Sequence, residues 1–209
     1  MGTVHEHMAQ KTKHDIQKCF IDLVQEEGFQ NVSVKKIAER ASINRGTFYL
    51  HYVDKFDCME KIQVQLLDEL QEKMNNIAPS EIFISIQQRK IYSPFLGIYE
   101  FILDNAVAIR AILGNQGDPS FSNKVKDIFR NTIVARLAEY SPILADKEFN
   151  KYFSAFFTSA ILGLFQEWLE DYEGKTVQDL AEIHHQILSM ISNIFNIVTR
   201  KPTLNPLSE

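Results

Sequence analysis

VSVKKIAERASINRGTFYLHYVDKFDCM, residues 32–59, sets two short helical patterns and the start of a longer one side by side. Ser33 stands where a helix N-cap belongs, ahead of Val34, Ile37 and Ala38 on one face. Asn44 repeats the arrangement for a helix of about Asn44–Leu50, with Ile43 and Phe48 placed to form a hydrophobic staple. Asp54 caps a third helix reaching about Asn75, and Asp57 occupies the capping-box position that Glu suits better. Helices this short are marginal alone and exist only where packing holds them. Joined by the tight turn Ala41–Ser42–Ile43, they make a helix-turn-helix, whose second short helix can enter a DNA major groove. A protein-interaction module is the other use to which such helices are put.

Outward from this stretch the chain stays helical. A first helix spans about Thr12–Glu27, with Ile16, Cys19, Phe20, Leu23 and Val24 in one stripe and Gly28 ending it. Beyond the break at Asn75, Asn76 and Pro79 come Phe95–Leu103, Ala106–Leu113, Pro119–Tyr140, Asp146–Tyr172 and Thr176–Val198. GNQGDP (114–119) is a turn by composition, with Pro119 suited to the first turn of the next helix. The expected fold is all-α, with about nine helices in two domains. Residues 1–10 read as a flexible tail, 11–56 as the helix-turn-helix domain, 57–198 as a helical ligand-binding and dimerisation domain, and 199–209 as a second tail.

Composition narrows the function. With 209 residues, 45% hydrophobic, 15 Phe and 7 Tyr, the chain can bury a substantial core. A net charge of −5 is not that of a generic polyanion binder, and residues 1–60 carry 8 Lys or Arg against 9 Asp or Glu. Any DNA contact therefore rests on a few well-placed groups. Cys19 and Cys58 sit in apolar helical patterns and read as buried thiols. The first residues contain no apolar signal segment, which favours a cytoplasmic product. The uncharged run 152–166 is too short and too rich in Ser, Thr and Gln to span a bilayer, so no membrane association is expected. No catalytic role, metal or cofactor is expected: His184 and His185 are adjacent and diverge on a helix, and no phosphate loop or nucleophile elbow occurs.

The candidate DNA contacts sort by chemistry. The guanidinium of Arg45 matches guanine O6 and N7, Asn44 can pair with adenine, and Thr47 suits a thymine methyl or a phosphate. Gly46 leaves room for close approach. Ser33, Tyr49, His51 and Lys55 suit phosphates, and Lys35 and Lys36 add charge at the other edge.

Residues 32–59 also resemble the helix-turn-helix signature of the TetR/AcrR regulators, through Ile37-Ala38-Glu39-Arg40-Ala41, Gly46-Thr47-Phe48-Tyr49, His51-Tyr52 and Lys55. The resemblance implies base contacts from Asn44, Arg45 and Thr47, backbone contacts from Tyr49, His51 and Lys55, and core roles for Phe48 and Tyr52. FILDNAVAIRAILGNQGDPSF (101–121) and FFTSAILGLFQEWLEDY (156–172) are similar to a subgroup that includes regulators of dihydroxyacetone-kinase operons.

That likeness implies a homodimer on a near-palindromic double-stranded operator. The dimer would be joined through the last two helices, here by Leu180, His184, Ile187, Ile191, Ile194 and Val198. By analogy with the family, a pocket for a small apolar or aromatic effector would be lined by Leu66, Leu70, Tyr99, Ile102, Phe129, Ile133, Phe157, Ile161 and Phe165, with Arg110, Tyr99 and Gln166 as polar anchors. The regulatory reading is a repressor released by that effector; the alternative is an activator, or a regulator controlled by a protein co-regulator.

Overall fold

The computed structural model describes the backbone of residues 4–114 and 117–199 and the side chains of 6–114 and 117–192. Among the described residues every regular element is helical: α1 (Val4–Glu27), α2 (Val34–Arg40), α3 (Arg45–Tyr49), α4 (Lys55–Asn75), α5 (Pro79–Gln87), α6 (Pro94–Asp104), α7 (Ala106–Leu113), α8 (Pro119–Phe129), α9 (Ala135–Ala138), α10 (Lys147–Glu170) and α11 (Val177–Thr199). α8 and α9 form one rod, joined through a π turn at Arg130–Val134.

Two elements differ from the sequence expectation. The segment read as an N-terminal tail is helical from Val4, because nothing before Thr12 breaks a helix and the Thr12 hydroxyl donates to the Met8 carbonyl at 2.9 Å. α5 is additional; its Pro79 occupies the first turn, where a missing amide costs nothing. The turn before α8 needs glycine at 117, since a Cβ there would stand 2.0 Å from the Ile112 carbonyl oxygen.

The two expected domains share one continuous core. α1 packs on α2 and also on α7; α4 packs on α6 and α8; α10 lies on α7 and α8; and α11 lies on α5 and α6. The helix-turn-helix unit is thus joined to the rest both covalently through α4 and by the packing of α1 on α7. Several polar groups inside this core are paired, as burial favours, while Gln17 Nε2, the Tyr52 hydroxyl, Trp168 Nε1 and His184 Nε2 have no partner among the described residues. Gln63, 1% exposed, donates to the Asp118 carboxylate at 2.7 Å and accepts from the Lys124 ammonium at 2.8 Å, which fastens α4 to the start of α8. Further along, Gln71 donates to the Thr132 hydroxyl at 3.2 Å in the π turn.

His184 is the titratable imidazole of that group. It is 4% exposed, its Nδ1 is hydrogen-bonded to the Tyr99 hydroxyl, and its Nε2 has no partner. Burial, with His185 alongside, pulls its pKa from the usual 6.5 to about 4. The unfolded chain therefore takes up this proton first as pH falls, and stability is lost between about pH 6.5 and 4, by on the order of 3 kcal/mol. Asp57, held low by Lys61 and by the Val53 amide, stays ionised across that window. Urea unfolding followed from pH 7 toward acid should show this slope, and His184→Asn should flatten it. An unchanged slope in the variant would assign the acid lability to other groups.

Candidate nucleic-acid interface

The turn between α2 and α3 is locked by backbone hydrogen bonds. Ser42 N–H donates to Glu39 at 3.2 Å and Ile43 N–H to Ala38 at 3.0 Å, the paired pattern of a Schellman end. Ser42 takes the left-handed conformation this requires, with φ 55°. Asn44 then caps α3: its Oδ1 accepts from the Thr47 amide at 2.8 Å and from the Thr47 hydroxyl at 3.1 Å. A Cβ at Gly46 would sit 3.1 Å from that same oxygen, so glycine leaves the cap undisturbed as well as thinning the surface. Phe48 and Tyr52 are buried with ring centroids 5.6 Å apart, as their expected core roles require. Anchoring this side of α3 turns Arg45, Tyr49 and Leu50 to solvent.

The cations of this unit are not equally available. Lys36 bonds the Glu27 carboxylate at 2.5 Å and the Asn31 carbonyl at 3.1 Å. Arg40 makes a two-pronged contact with Glu26 at 2.8 and 2.6 Å, and Lys35 lies 3.8 Å from Glu39 in an exposed pair. The Lys55 ammonium donates to three carbonyls, of Phe29 at 2.9 Å, Gln30 at 3.1 Å and Val32 at 2.9 Å, and stands over the Phe29 ring. Of Lys35, Lys36, Arg40, Arg45 and Lys55, Arg45 is the one with no hydrogen bond or ion pair among the described residues.

This geometry revises several assigned roles. Lys55, expected on a phosphate, spends all three ammonium protons inside the fold, because α4 begins directly beneath the turn that follows α1. Lys36 is likewise held by Glu27. Asn44 cannot pair with adenine through both amide atoms while its oxygen caps α3, which leaves its NH2 group for a contact. Ser33 caps α2, accepting from the Lys36 amide at 3.3 Å. Tyr49 is exposed, and His51 is half-buried with its ring 6.4 Å from that of Tyr52. Leu50 and Val53, 84% and 76% exposed beside Tyr49, were not singled out from sequence. The signal was present: with Phe48 and Tyr52 facing inward, the helical period turns position 50 outward.

The nine residues expected to line a pocket are brought together, but as packed core. Leu66, Leu70, Tyr99, Ile102, Phe129, Ile133 and Phe165 are buried, while Phe157 and Ile161 are half-buried against them. Neither concavity described at the surface, one between α5 and α11 and one between α1 and α2, includes any of the nine. Apolar pattern marks residues that leave water and does not say whether they enclose a space. Of the polar anchors, Arg110 pairs with Glu170 at 3.5 Å, Tyr99 bonds His184, and Gln166 is exposed.

The expected dimer stripe divides. Leu180 and His184 face the chain's own core against α6, so they are withdrawn from an interface. Ile187 is half-buried and Ile191 is exposed; the side chains of Ile194 and Val198 lie outside the described residues. The outward stripe of α11 instead runs through Ile183, Met190 and Ile191, and α10 exposes Tyr152 and Phe156 with Ser159, Ala160 and Gly163.

Comparison with known proteins agrees with this architecture. Residues 21–62 match the family described as bacterial regulatory proteins, tetR family, and residues 89–190 match a transcriptional regulator C-terminal region. A TetR transcriptional regulator from Streptococcus agalactiae 2603V superposes with a TM-score of 0.60 at 22% identity, over 88% of this chain and 97% of that one. A TetR/AcrR-family regulator from Aquifex aeolicus VF5 also gives 0.60, at 19% identity over 86% and 99% of the two chains. The dihydroxyacetone kinase operon activator DhaS gives 0.52, at 18% identity over 87% and 95%. In sequence, the uncharacterized HTH-type transcriptional regulator YxbF of Bacillus subtilis (strain 168) is 20% identical over 156 residues, 74% of this chain. The match spans only 40% of that relative's length.

Two substitutions separate the roles of the cations. Arg45→Ala should leave the fold intact, cost about 1–3 kcal/mol of operator affinity per half-site and relax preference at one base pair. Lys55→Ala should instead lower unfolding stability by about 1–3 kcal/mol, since three carbonyls lose a charged donor, and leave the salt dependence of operator binding unchanged. Urea melts with fluorescence-anisotropy titrations at several salt concentrations check both. A shallower salt slope without loss of stability would return Lys55 to the DNA backbone.

Proposed function

The chain belongs to the TetR family of bacterial transcriptional regulators, and on that premise we propose that it is a repressor that binds a near-palindromic operator as a homodimer and is released by a small, mostly apolar effector. The single observation that carries DNA recognition is the exposed α3, whose Arg45 guanidinium is unpaired among the described residues while Lys36, Arg40 and Lys55 are engaged within the fold. A free guanidinium on a short helix, backed by Phe48 and Tyr52, suits bidentate reading of guanine. Exposed Tyr49 and Lys35 supply flanking contacts to the backbone. In an acidic chain this places the DNA-directed charge at one spot, which favours reading a sequence over coating a polyanion.

Regulators of this family bind DNA as dimers, and α10 with α11 supplies a face suited to that use. Ser159, Ala160 and Gly163 are small and exposed, so a second copy can approach closely, and Tyr152, Phe156, Ile183 and Met190 offer apolar area on either side. A two-fold axis through this face presents two copies of α3, which calls for matching half-sites. Repression is the reading adopted for the sign. The fold is shared with DhaS, named as an activator, so transcription of neighbouring genes in a deletion strain is the deciding measurement: a rise supports repression and a fall reverses the sign.

Selection from a random duplex library should enrich a near-palindrome, and sedimentation should give a dimer. Ala160→Arg, on an exposed position, should leave the fold intact, produce monomers and weaken operator binding by well over tenfold. Enrichment of a single asymmetric half-site by a monomer would remove this reading of the interface.

A further inference from the structure

The side chain that stands opposite the buried anchor of α3 is Leu50, not Arg45. Phe48 is 0% exposed and fixes the inward direction of the helix. At about 100° of turn per residue, Gly46 and Leu50 each fall within about 20° of the outward direction, and Arg45 lies about 120° away from it. Leu50 keeps to this period as the C-cap: its φ of −70° and ψ of −23° are helical, and its amide donates to the Gly46 carbonyl at 3.2 Å and the Thr47 carbonyl at 3.3 Å. Gly46 puts no side chain on that line. Leu50 is therefore the tip of α3, and at 84% it is the most exposed large hydrophobic residue among those described.

The polar groups around this tip are turned aside or already engaged. Tyr49 leans edge-on against Phe48, with ring centroids 5.7 Å apart and planes at 86°. The Thr47 hydroxyl donates to Asn44 Oδ1 at 3.1 Å, and the same oxygen accepts from the Thr47 amide. A lone exposed leucine is ordinary on a protein surface. At the tip of a helix that enters a groove its position has a consequence, because docking strips water both from the leucine and from whatever lies beneath it.

What can lie beneath it is limited by chemistry. The bases present N and O atoms in the major groove, and the apolar group on offer there is the 5-methyl of thymine. A guanine, adenine or cytosine edge set against Leu50 would lose its water and gain no hydrogen bond, which is costly. A methyl group facing Leu50 is instead taken out of water favourably. We propose that Leu50 is a second base-reading residue of this regulator, seated on the 5-methyl group of a thymine in each half-site, with Gly46 leaving room for that approach. The inference rests on the reading of α3 as the DNA-recognition helix.

The place of that thymine follows from the helix. Leu50 is five residues beyond Arg45, about 7.5 Å along the axis, which is about two base steps of ~3.4 Å. The thymine is therefore expected within about two base pairs of the guanine assigned to Arg45. The two residues divide the reading: Arg45 supplies hydrogen bonds from the flank, and Leu50 an apolar contact at the tip. The second contact carries no charge, so it adds selectivity without adding to the salt dependence of binding. That suits a chain whose net charge is −5.

Deoxyuridine keeps the hydrogen-bonding groups of thymine and removes the 5-methyl alone, so it tests the contact without altering the protein. A duplex enriched from a random library by the full-length protein is remade with deoxyuridine at one thymine position of both half-sites at a time, and affinity is read by fluorescence anisotropy. At the position under Leu50 the substitution is expected to weaken binding by about fourfold per half-site, and about fifteenfold for a dimer. Leu50→Ala, checked for an unchanged urea melt, should bind the thymine and deoxyuridine duplexes equally. Deoxyuridine without effect at every thymine near the guanine would overturn the proposal, as would an enriched site with no thymine there. A methyl effect of the same size in the Leu50 variant, with affinity lowered alike on both duplexes, would overturn it too and place Leu50 on the sugar–phosphate backbone. If no duplex is enriched, the reading of α3 as the recognition helix fails before any methyl group is removed, so the two failures are told apart.

Discussion

The position of the DNA-reading unit depends on one ammonium group. Lys55 opens α4, and its Nζ reaches 23 to 26 residues back to the carbonyls of Phe29, Gln30 and Val32. Those carbonyls belong to the turn after α1, where the helix has ended; that of Phe29 also accepts from the Val32 amide at 3.3 Å. The same nitrogen stands over the faces of Phe29 and Phe56, which meet edge to face at 5.3 Å. A half-buried cation with three carbonyl partners and two ring faces is compensated where it sits. It ties the end of α1 to the start of α4, and α2 and α3 are the segment held between those two points.

Around that clamp, Lys36 and Arg40 are paired within the fold, and Arg45 on α3 is not, among the described residues. Glu26 and Glu27 at the end of α1 take Arg40 and Lys36. Exposed pairs of this kind add little stability, but they fix which face of α2 turns to α1 and withdraw two cations from the surface field. The balance of charge in the first 60 residues thus understates the capacity to read DNA, because what matters is where an unpaired donor fork projects. Arg45 projects from a helix of five residues whose cap, at Asn44, and whose anchor, at Phe48, both belong to that helix.

Local devices were legible from the sequence, and long-range ones were not. Ser33, Asn44 and Asp54 cap the helices their positions imply, the inward side of Phe48 follows from its place on the short helix, and the core role of Tyr52 from the family resemblance. These are contacts within four residues, governed by backbone geometry that a short window contains. The three carbonyl partners of Lys55 were not legible because they lie far back in the chain. His184 was assigned to a dimer face because a broad apolar stripe on α11 has two sides, and only the packing of α6 decides which one turns inward. The nine supposed pocket residues share that difficulty: burial was legible, but the presence of an enclosed space was not, since it depends on how side chains from distant helices fill each other's gaps.

The two connections between the reading unit and the rest of the chain constrain how a signal can pass. If α4 were the sole link, a shift at its far end could swing α2 and α3 freely, like a pendulum. The packing of α1 on α7 prevents this, because any rotation carried by α4 must also slide α1 across α7. Gln63, held by Asp118 and Lys124, adds a fixed point partway along α4. A tightly packed helix pair does not deform by degrees; it moves between arrangements in which side chains again interlock. A displacement at Asn75 that reached α3 would therefore have to be taken up both at the Gln63 contact and where α1 packs on α7. In a two-fold dimer such a rotation is doubled between the two reading helices, so a small movement at each α4 becomes a mismatch with the spacing of DNA half-sites. Were bound DNA to oppose such a rotation, whatever favours the turned state would bind less tightly when the operator is occupied, and by the same factor.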